Sequence, residues 1–203
     1  MNYENCRIPE ELLSYMNQCI SYGFMNKDRE VCTDLNKQST QDACKVEWYL
    51  SSPGQLIQEG YGHCIDQVEL GRYWFLKFGY TYKTFFIWFS LPYKNTYSMH
   101  TYLLFEKGKK WYYFEHANER IQGIYAFDTY EEAIHYQARI HIEQNKIRNV
   151  VGKEEIECLQ VYEYSCPKYG CNLSQFIAFV LETGTKQCLD YDYLLKENCI
   201  RKF

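Results

Sequence analysis

The chain has 203 residues, of which 46% are hydrophobic and 24% charged, and its formal net charge at pH 7 is −4. This length and apolar content predict a single domain over residues 1–203 with a substantial core. The mildly acidic balance lacks the basic stripe of nucleic-acid-binding proteins, and no apolar run approaches the roughly 20 residues that cross a bilayer, so neither nucleic acid nor a membrane is an expected partner.

The ten cysteines are scattered along the chain rather than grouped in a disulfide framework. The N-terminus also lacks the basic and apolar segments of a signal peptide, so we predict a cytoplasmic protein. In a reducing compartment, most of the cysteines are expected to be small buried hydrophobic residues. Cys166 and Cys171 could form half of a zinc site, but Cys188 and Cys199 are too far apart to complete it. We therefore predict no metal and no cofactor.

Helices are predicted in the first part of the chain. One begins at Pro9 and stops at Gly23, and a short one in "SSPGQLIQEG" is closed by Gly60. The polar stretch between them, "NKDREVCTDLNKQSTQDACK", is predicted to loop over the surface. The next helix runs from about Cys64 to Phe78, with Gly79 as its stop. Its wide apolar stripe predicts a central, buried helix, and consists of Val68, Leu70, Trp74, Phe75, Leu76 and Phe78.

Beyond residue 79 the hydrophobic period changes to two. "TYKTFFIWF" is apolar on both faces, as in an interior strand, and "MHTYLLFE" and "WYYFEHA" flank the turn of a hairpin. "TYEEAIHYQARIHIEQ" predicts a helix with a capping box of Thr129 and Glu132. "IECLQVYEYS" predicts a further strand, and "NLSQFIAFVLETG" a last helix ended by Gly184. Helices, then antiparallel strands, then a mixture of both predict an α+β fold.

Cys64 differs from the other cysteines because it opens a helix, where the positive end of the dipole favours a thiolate. A catalytic thiol also needs a base and an acceptor that orients the base, and the hairpin can supply both. If Lys107-Gly108 is a two-residue turn, His100 lies directly opposite Glu115. Another even-numbered loop keeps the two on one face as diagonal neighbours, whereas a three-residue loop puts His116 beside His100.

The segments "GHCIDQVELGRYWFLKFGYTYKTFFIWF" and "HTYLLFEKGKKWYYFEH" resemble the core of the transglutaminase-like superfamily. That family tends to show a Gly-x-Cys-x-Asp/Glu segment opening a helix, then a strand led by His, with a Trp four residues before an acidic residue. The resemblance covers about residues 54–118 and is nearest to small members from Gram-positive bacteria and mobile elements. The matching residues are Gly62, Cys64, Asp66, Gly79, His100, Trp111 and Glu115.

The resemblance implies a papain-like α+β fold in which the helix carrying the cysteine packs on an antiparallel sheet. Cys64 is then the nucleophile, His100 the general base and acid, and Glu115 the orienting carboxylate, where the family usually has Asp. Such a protein is a cysteine-dependent amide hydrolase or acyltransferase that acts on a protein or peptide amide through a thioester. Proteolysis, deamidation and transamidation all remain open, as does an inactive transglutaminase-like module that sequesters a protein partner.

Other residues near Cys64 are assigned to the substrate cleft. An oxyanion needs donors, for which the backbone N–H of Cys64 is one expectation and Gln58, six residues earlier, another. Tyr61 and His63 are further oxyanion or cleft candidates. Gly62 is expected to let a substrate backbone approach. Asp66 is expected on the polar side of the helix, with a solvated surface position as the alternative.

Overall fold

The computed structural model describes residues 2–33, 44–91, 96–147, 159–190 and 194. In chain order its helices are α1 (Pro9–Cys19), α2 (Pro53–Glu59), α3 (Cys64–Lys77), α4 (Tyr130–Ile147) and α5 (Leu173–Thr183). Its strands are β1 (Ser21–Tyr22), β2 (Phe24–Met25), β3 (Val31–Cys32), β4 (Tyr61–Gly62), β5 (Tyr82–Leu91), β6 (Thr96–Lys107), β7 (Lys110–Glu115), β8 (Gly123–Phe127), β9 (Leu159–Tyr164) and β10 (Thr185–Leu189). The prediction of an α+β fold with an antiparallel sheet is confirmed.

Within the described residues, six strands form one antiparallel sheet in the order β10-β9-β5-β6-β7-β8. β5 lies between β6 and β9, which agrees with the interior strand predicted from "TYKTFFIWF". Consecutive side chains of a strand point to opposite faces, and Phe85 and Phe86 of β5 are both buried. Both faces of the sheet are therefore covered.

A helix packs against each face of the sheet. Leu103 and Phe105 of β6 belong to the same buried cluster as Trp74 of α3. Tyr102 and Leu104, which alternate with them, belong to a second cluster that contains the apolar side chains of α4. The helix that begins at Cys64 thus packs on the antiparallel sheet, in contact with β6.

The helix boundaries follow local capping chemistry. α2 begins with a capping box between Ser52 and Gln55 and is closed by Gly60, whose φ of 72° is in the left-handed region. α1 ends at Cys19, four residues before the predicted stop at Gly23, because the chain there enters β1.

Of the two hydrogen bonds in the capping box predicted for α4, one is formed. Thr129 Oγ1 accepts the N–H of Glu132, while the Glu132 carboxylate accepts the N–H of Asp128 instead.

α3 is central, as predicted, but its apolar stripe is narrower than the sequence indicated. Leu70, Trp74 and Phe75 are fully buried. Leu76 is 60% exposed and does not belong to the stripe. At 100° per residue, Leu76 follows Phe75 around the helix and leaves the face that packs on the sheet.

The hairpin between β6 and β7 turns one residue later than predicted. Lys107 pairs with Lys110, so the two-residue turn is Gly108-Lys109 and not Lys107-Gly108. Gly108 has a φ of 69°, which suits the first central position of a II′-type turn. The turn therefore forms at the position where a glycine can adopt the positive φ that the first central residue needs.

This turn shifts the register by two residues relative to the prediction. Pairing between β6 and β7 ends at Leu103 and Phe114, and its continuation sets Glu115 opposite Tyr102. The prediction that His100 lies directly opposite Glu115 is wrong. His100 is the diagonal neighbour on the same face, as expected for another even-numbered loop.

Several short strands had no clear signal in the sequence. β1 pairs in parallel with β4, and β2 pairs with β3, which lies inside the stretch predicted as a surface loop. β8 and β10 form the two edges of the large sheet. Residues 34–43 of the predicted loop, and residues 156–158 of the predicted strand before β9, lie outside the described residues.

The cysteines are more varied than predicted. Cys32 and Cys44 form a disulfide, so neither is a buried thiol. Among the free cysteines in the described ranges, Cys6 and Cys64 are buried, whereas Cys166 and Cys188 are exposed. The expectation that most cysteines are buried thiols is therefore wrong.

Two absences concern the described part of the chain only. It contains no helix that is both long enough and apolar enough to cross a bilayer. It also contains no group of three or more His, Cys, Asp or Glu side chains that could hold a metal ion. Cys199, the last cysteine considered for zinc, lies outside the described residues.

Candidate active site

Cys64 is the first residue of α3 and is 2% exposed. Position N1 leaves the backbone N–H without an intrahelical acceptor, and the N–H of Cys64 donates to no other described residue. The side chain sits at the positive end of the helix dipole. The sulfur thus lies where a thiolate and an oxyanion would both be stabilised.

The structure brings Cys64, His100 and Glu115 together. His100 Nε2 is 2.9 Å from Glu115 Oε2, and the other oxygen of this carboxylate accepts the N–H of Asn118 at 2.9 Å. His100 lies close enough to the Cys64 thiol for each group to shift the pKa of the other. Because Nε2 is hydrogen-bonded to the carboxylate, Nδ1 is the ring nitrogen that can exchange a proton with the thiol. The longer glutamate side chain therefore reaches the imidazole from a diagonal position.

The thiol and the imidazole meet beside the end of β7. His100 shares its face of β6 with Tyr102, and its ring lies 6.4 Å from that of His141 on α4. α3 packs on the opposite face. Since pairing with β7 stops at Leu103, the edge of β6 next to His100 is not covered by β7. Cys64 lies beside this strand end, where it shares a small cavity with Phe114 and Glu115.

Electrostatics favour an ion pair between the thiol and the imidazole. Burial disfavours a thiolate at Cys64, but the charges of His63 and His100 and hydrogen bonds to both rings hold its pKa well below the usual range. Burial likewise disfavours an imidazolium at His100, yet the charge of Glu115 and hydrogen bonds to Cys64 and Glu115 raise its pKa to about 10. These interactions favour a thiolate at Cys64 paired with an imidazolium at His100 over the neutral pair.

Tyr113 and Gln137 support the carboxylate, and neither was identified from the sequence. The Tyr113 hydroxyl donates to Glu115 Oε2 and lies 2.8 Å from the Gln137 amide. A hydroxyl has one hydrogen, which goes to the carboxylate, so the amide must present its nitrogen to the hydroxyl oxygen. Tyr113 lies two residues before Glu115 on the same face of β7. The alternation of the strand could have revealed it.

His63 is a second imidazole at the thiol. Its two ring nitrogens are 3.6 and 3.5 Å from Cys64 Sγ, so the sulfur is about equally close to both. Phe24 stacks on this imidazole with centroids 4.5 Å apart. The rings of Tyr22 and Trp48 stand edge-on to it at 5.6 and 5.8 Å. We call Tyr22, Phe24 and Trp48 the aromatic box.

The other two cleft candidates have no described contact with the thiol. Gln58 is exposed on α2, and its amide makes no hydrogen bond to another described residue. Tyr61 lies in β4 and is 36% exposed. Of the three residues proposed from the sequence, only His63 is placed at the sulfur.

Asp66 is not on a solvated surface, because it is 2% exposed. One carboxylate oxygen accepts the indole N–H of Trp48 and the backbone N–H of His63, both at 2.9 Å, and the other accepts the N–H of Ser51 at 2.8 Å. Burial raises the pKa of Asp66 to about 6 against these hydrogen bonds. Asp66 thus holds the start of α3 against the segment that carries Trp48.

Gly62 serves packing, not the approach of substrate. A Cβ at this position would lie 2.6 Å from Leu56 and 2.9 Å from Asp66. The Gly62 carbonyl accepts the amide N–H of Gln67 at 2.8 Å, and the oxygen of that amide lies 2.6 Å from Nδ1 of His116. His116 therefore positions the backbone just before Cys64 and does not compete with His100.

Space beside the thiol is small. A cavity of about 10 Å³ borders Cys64, Gln67, Glu115 and His116, which is room for about one water molecule. His100 is 9% exposed. The reacting groups are therefore enclosed, and the sulfur has little contact with solvent.

Comparison with known proteins gives no match. No protein-family model matches the chain, and neither the curated proteins nor the solved structures include one with significant similarity to it. Any assignment of function therefore depends on the residues and geometry described above.

Proposed function

We propose that this chain is a cysteine-dependent amide hydrolase or acyltransferase with a papain-like, transglutaminase-like core. The observation that carries the proposal is the Cys64–His100–Glu115 arrangement at the start of α3. A thiol with a lowered pKa, paired with an imidazole that is oriented by a carboxylate, is suited to acyl transfer. A protein or peptide amide is the proposed substrate.

The chemistry follows from the positions of these groups. The Cys64 thiolate forms a bond to the amide carbon, and the carbonyl electrons move to the oxygen, which accepts the free N–H of Cys64. The C–N bond then breaks as Nδ1 of His100 gives its proton to the leaving nitrogen, and a thioester remains. Water or an amine attacks the thioester and gives a proton to His100. The C–S bond breaks, and the thiolate is restored.

An amide-based probe tests this proposal directly. A peptide glutamine amide is incubated with the protein, and intact-mass spectrometry is followed by peptide mapping. We expect loss of ammonia and an acyl group on Cys64 alone, because only this thiol has an activating imidazole. Cleavage of a peptide backbone amide would instead leave the N-terminal fragment on Cys64 as a thioester and release the C-terminal fragment as an amine. If none of the amide substrates acylates Cys64, the proposal is wrong.

The alkylation rate of Cys64 is predicted to be high and nearly constant from neutral pH to about pH 9. The neighbouring imidazoles lower its pKa well below the ordinary thiol value of about 8.5, so we expect the thiolate to dominate over this range. Cys6 is the control, since burial raises the pKa of this free thiol. Iodoacetamide labelling followed by mass spectrometry measures both rates against pH. Equal rates for Cys64 and Cys6 at pH 7 would contradict the prediction.

Tyr113→Phe is predicted to slow acylation roughly tenfold, the order expected for loss of one hydrogen bond to a charged group. Without this donor, the pKa of Glu115 should rise. A carboxylate that is less stable as an anion supports the imidazolium less, so the pKa of His100 should fall. The pH above which activity is lost should therefore be lower than in the wild type. Tyr125→Phe is the matched control, because among the described residues its hydroxyl donates to the carbonyl of Gln122 and not to Glu115. A Tyr113→Phe enzyme with an unchanged pH profile would show that the hydroxyl does not position Glu115.

The enclosure of Cys64 favours one alternative function. A transglutaminase-like module without turnover could keep the same fold and bind a protein partner. Such a module has no need of a thiolate, so its Cys64 should react as slowly as Cys6. The alkylation measurement therefore separates the two functions.

A further inference from the structure

The disulfide between Cys32 and Cys44 joins two segments that approach the candidate site. Cys32 ends β3 and is in register with Phe24 of β2. Cys44 begins a helical turn at 44–47, and its carbonyl accepts the N–H of Trp48 at 3.0 Å. Each half of the disulfide is therefore next to one residue of the aromatic box.

Few backbone hydrogen bonds join these two segments directly in the described part of the chain, although their apolar side chains share one buried cluster. Asn26 and Trp48 form an isolated bridge, and the N–H of Tyr49 donates to the carbonyl of Met25 at 3.1 Å. These backbone contacts pair the strand of Phe24 with the segment of Trp48 over two residues only. The covalent link reinforces a short, weak pairing.

The contacts continue from the disulfide to the sulfur of Cys64. Phe24 stacks on His63, and Trp48 both borders this ring and donates to Asp66. Asp66 in turn accepts the backbone N–H of His63, whose ring lies against Cys64 Sγ. The position of the His63 ring thus depends on two segments that the disulfide ties together.

We propose that the Cys32–Cys44 disulfide is a redox control of the Cys64 site. In the oxidised protein the disulfide holds the aromatic box closed on His63, and His63 holds the thiolate of Cys64 in its reactive position. Reduction releases Phe24 from Trp48, and the His63 ring leaves the sulfur. This proposal rests on the proposed function, since it describes how the same site is regulated.

The disulfide can be reached by a small reductant. Cys32 is half-buried, and its neighbours Val31 and Thr33 are exposed. A dithiol reduces it in two exchanges: one thiolate attacks a sulfur of the disulfide to form a mixed disulfide, and the second closes a ring on the dithiol. Two electrons and two protons pass to the protein, which leaves Cys32 and Cys44 as thiols and the dithiol as a cyclic disulfide.

The test compares Cys64 alkylation in the oxidised protein with that in protein reduced by dithiothreitol and freed of it under argon. At pH 6.5, reduction is expected to slow Cys64 roughly tenfold, because departure of the His63 ring removes a neighbour that stabilises the thiolate and so lowers the thiolate fraction. Reoxidation should restore the rate. The double variant Cys32→Ser/Cys44→Ser should have the slow rate and no response to dithiothreitol.

A matched pair of core variants tests the route through the aromatic box. Phe24→Leu, which keeps the disulfide, should slow Cys64 and reduce its response to dithiothreitol. Phe85→Leu, an equally buried change on the α4 face, should leave both unchanged. Near-UV circular dichroism verifies that each protein keeps its tertiary structure.

The outcomes distinguish this proposal from the proposed function. If oxidised Cys64 reacts no faster than Cys6, the proposed function itself fails. If oxidised Cys64 is fast and reduction leaves its pH–rate profile unchanged, only the redox control is wrong. Irreversible loss of tertiary structure on reduction would also overturn the redox control, because the disulfide would then be only a structural bond.

Discussion

Cys64→Ala is expected to lower turnover by about 10⁴-fold or more, because covalent triads lose that much without their nucleophile. The other described thiols cannot replace it, since none of them contacts an imidazole oriented by a carboxylate. Acylation by the amide probe should vanish as well. Initial rates and intact-mass spectra of wild type and variant measure both effects.

Cys6→Ala is the matched control for this change. Cys6 is also a free, fully buried cysteine, and its thiol donates to the backbone carbonyls of Asn2 and Glu11. Its variant should keep full turnover. Residual acylation of Cys64→Ala at another cysteine would show that the nucleophile has been assigned to the wrong residue.

Stability is a weaker criterion than rate for Cys64. Cys64 is 2% exposed and part of the core, so replacing it affects packing whether or not its thiol is the nucleophile. The alkylation rate remains informative, because burial alone raises the pKa of a thiol whereas the site lowers that of Cys64.

Glu115→Gln is expected to lower turnover by about 10²- to 10⁴-fold while the fold is kept, as when a triad loses its orienting carboxylate. The amide carries no charge, so the pKa of His100 should fall from about 10 towards its ordinary value. The pKa of Cys64 should then rise, because its imidazolium partner is lost. Steady-state rates and the pH dependence of alkylation measure the two effects.

Glu106→Gln is the control for this variant. Glu106 lies in the same hairpin, where it pairs with Trp111 near the turn. We expect unchanged rates and an unchanged pH profile. If Glu115→Gln were as active as wild type, His100 would have to be oriented by another group.

Local signals in the sequence were sufficient for the elements that carry the site. The head of α3 at Cys64, the left-handed Gly60 and Gly79 that follow two helices, and the interior strand β5 were all predicted and are present. Each depends on caps or on apolar periodicity within a few residues. The pairing of His100 with Glu115 on one face also followed from any even-numbered turn.

What the tertiary structure decided involves contacts between distant segments. The turn at Gly108 set the register, and closure of the chain brought Phe24 and Trp48 around His63 and joined Cys32 to Cys44. A sequence pattern reports which face of an element is apolar, but not which distant element covers it. Asp66 shows the difference. Its position in the helix indicates the polar face, whereas packing of α3 against Trp48 and Ser51 buries its carboxylate and supplies its hydrogen-bond donors.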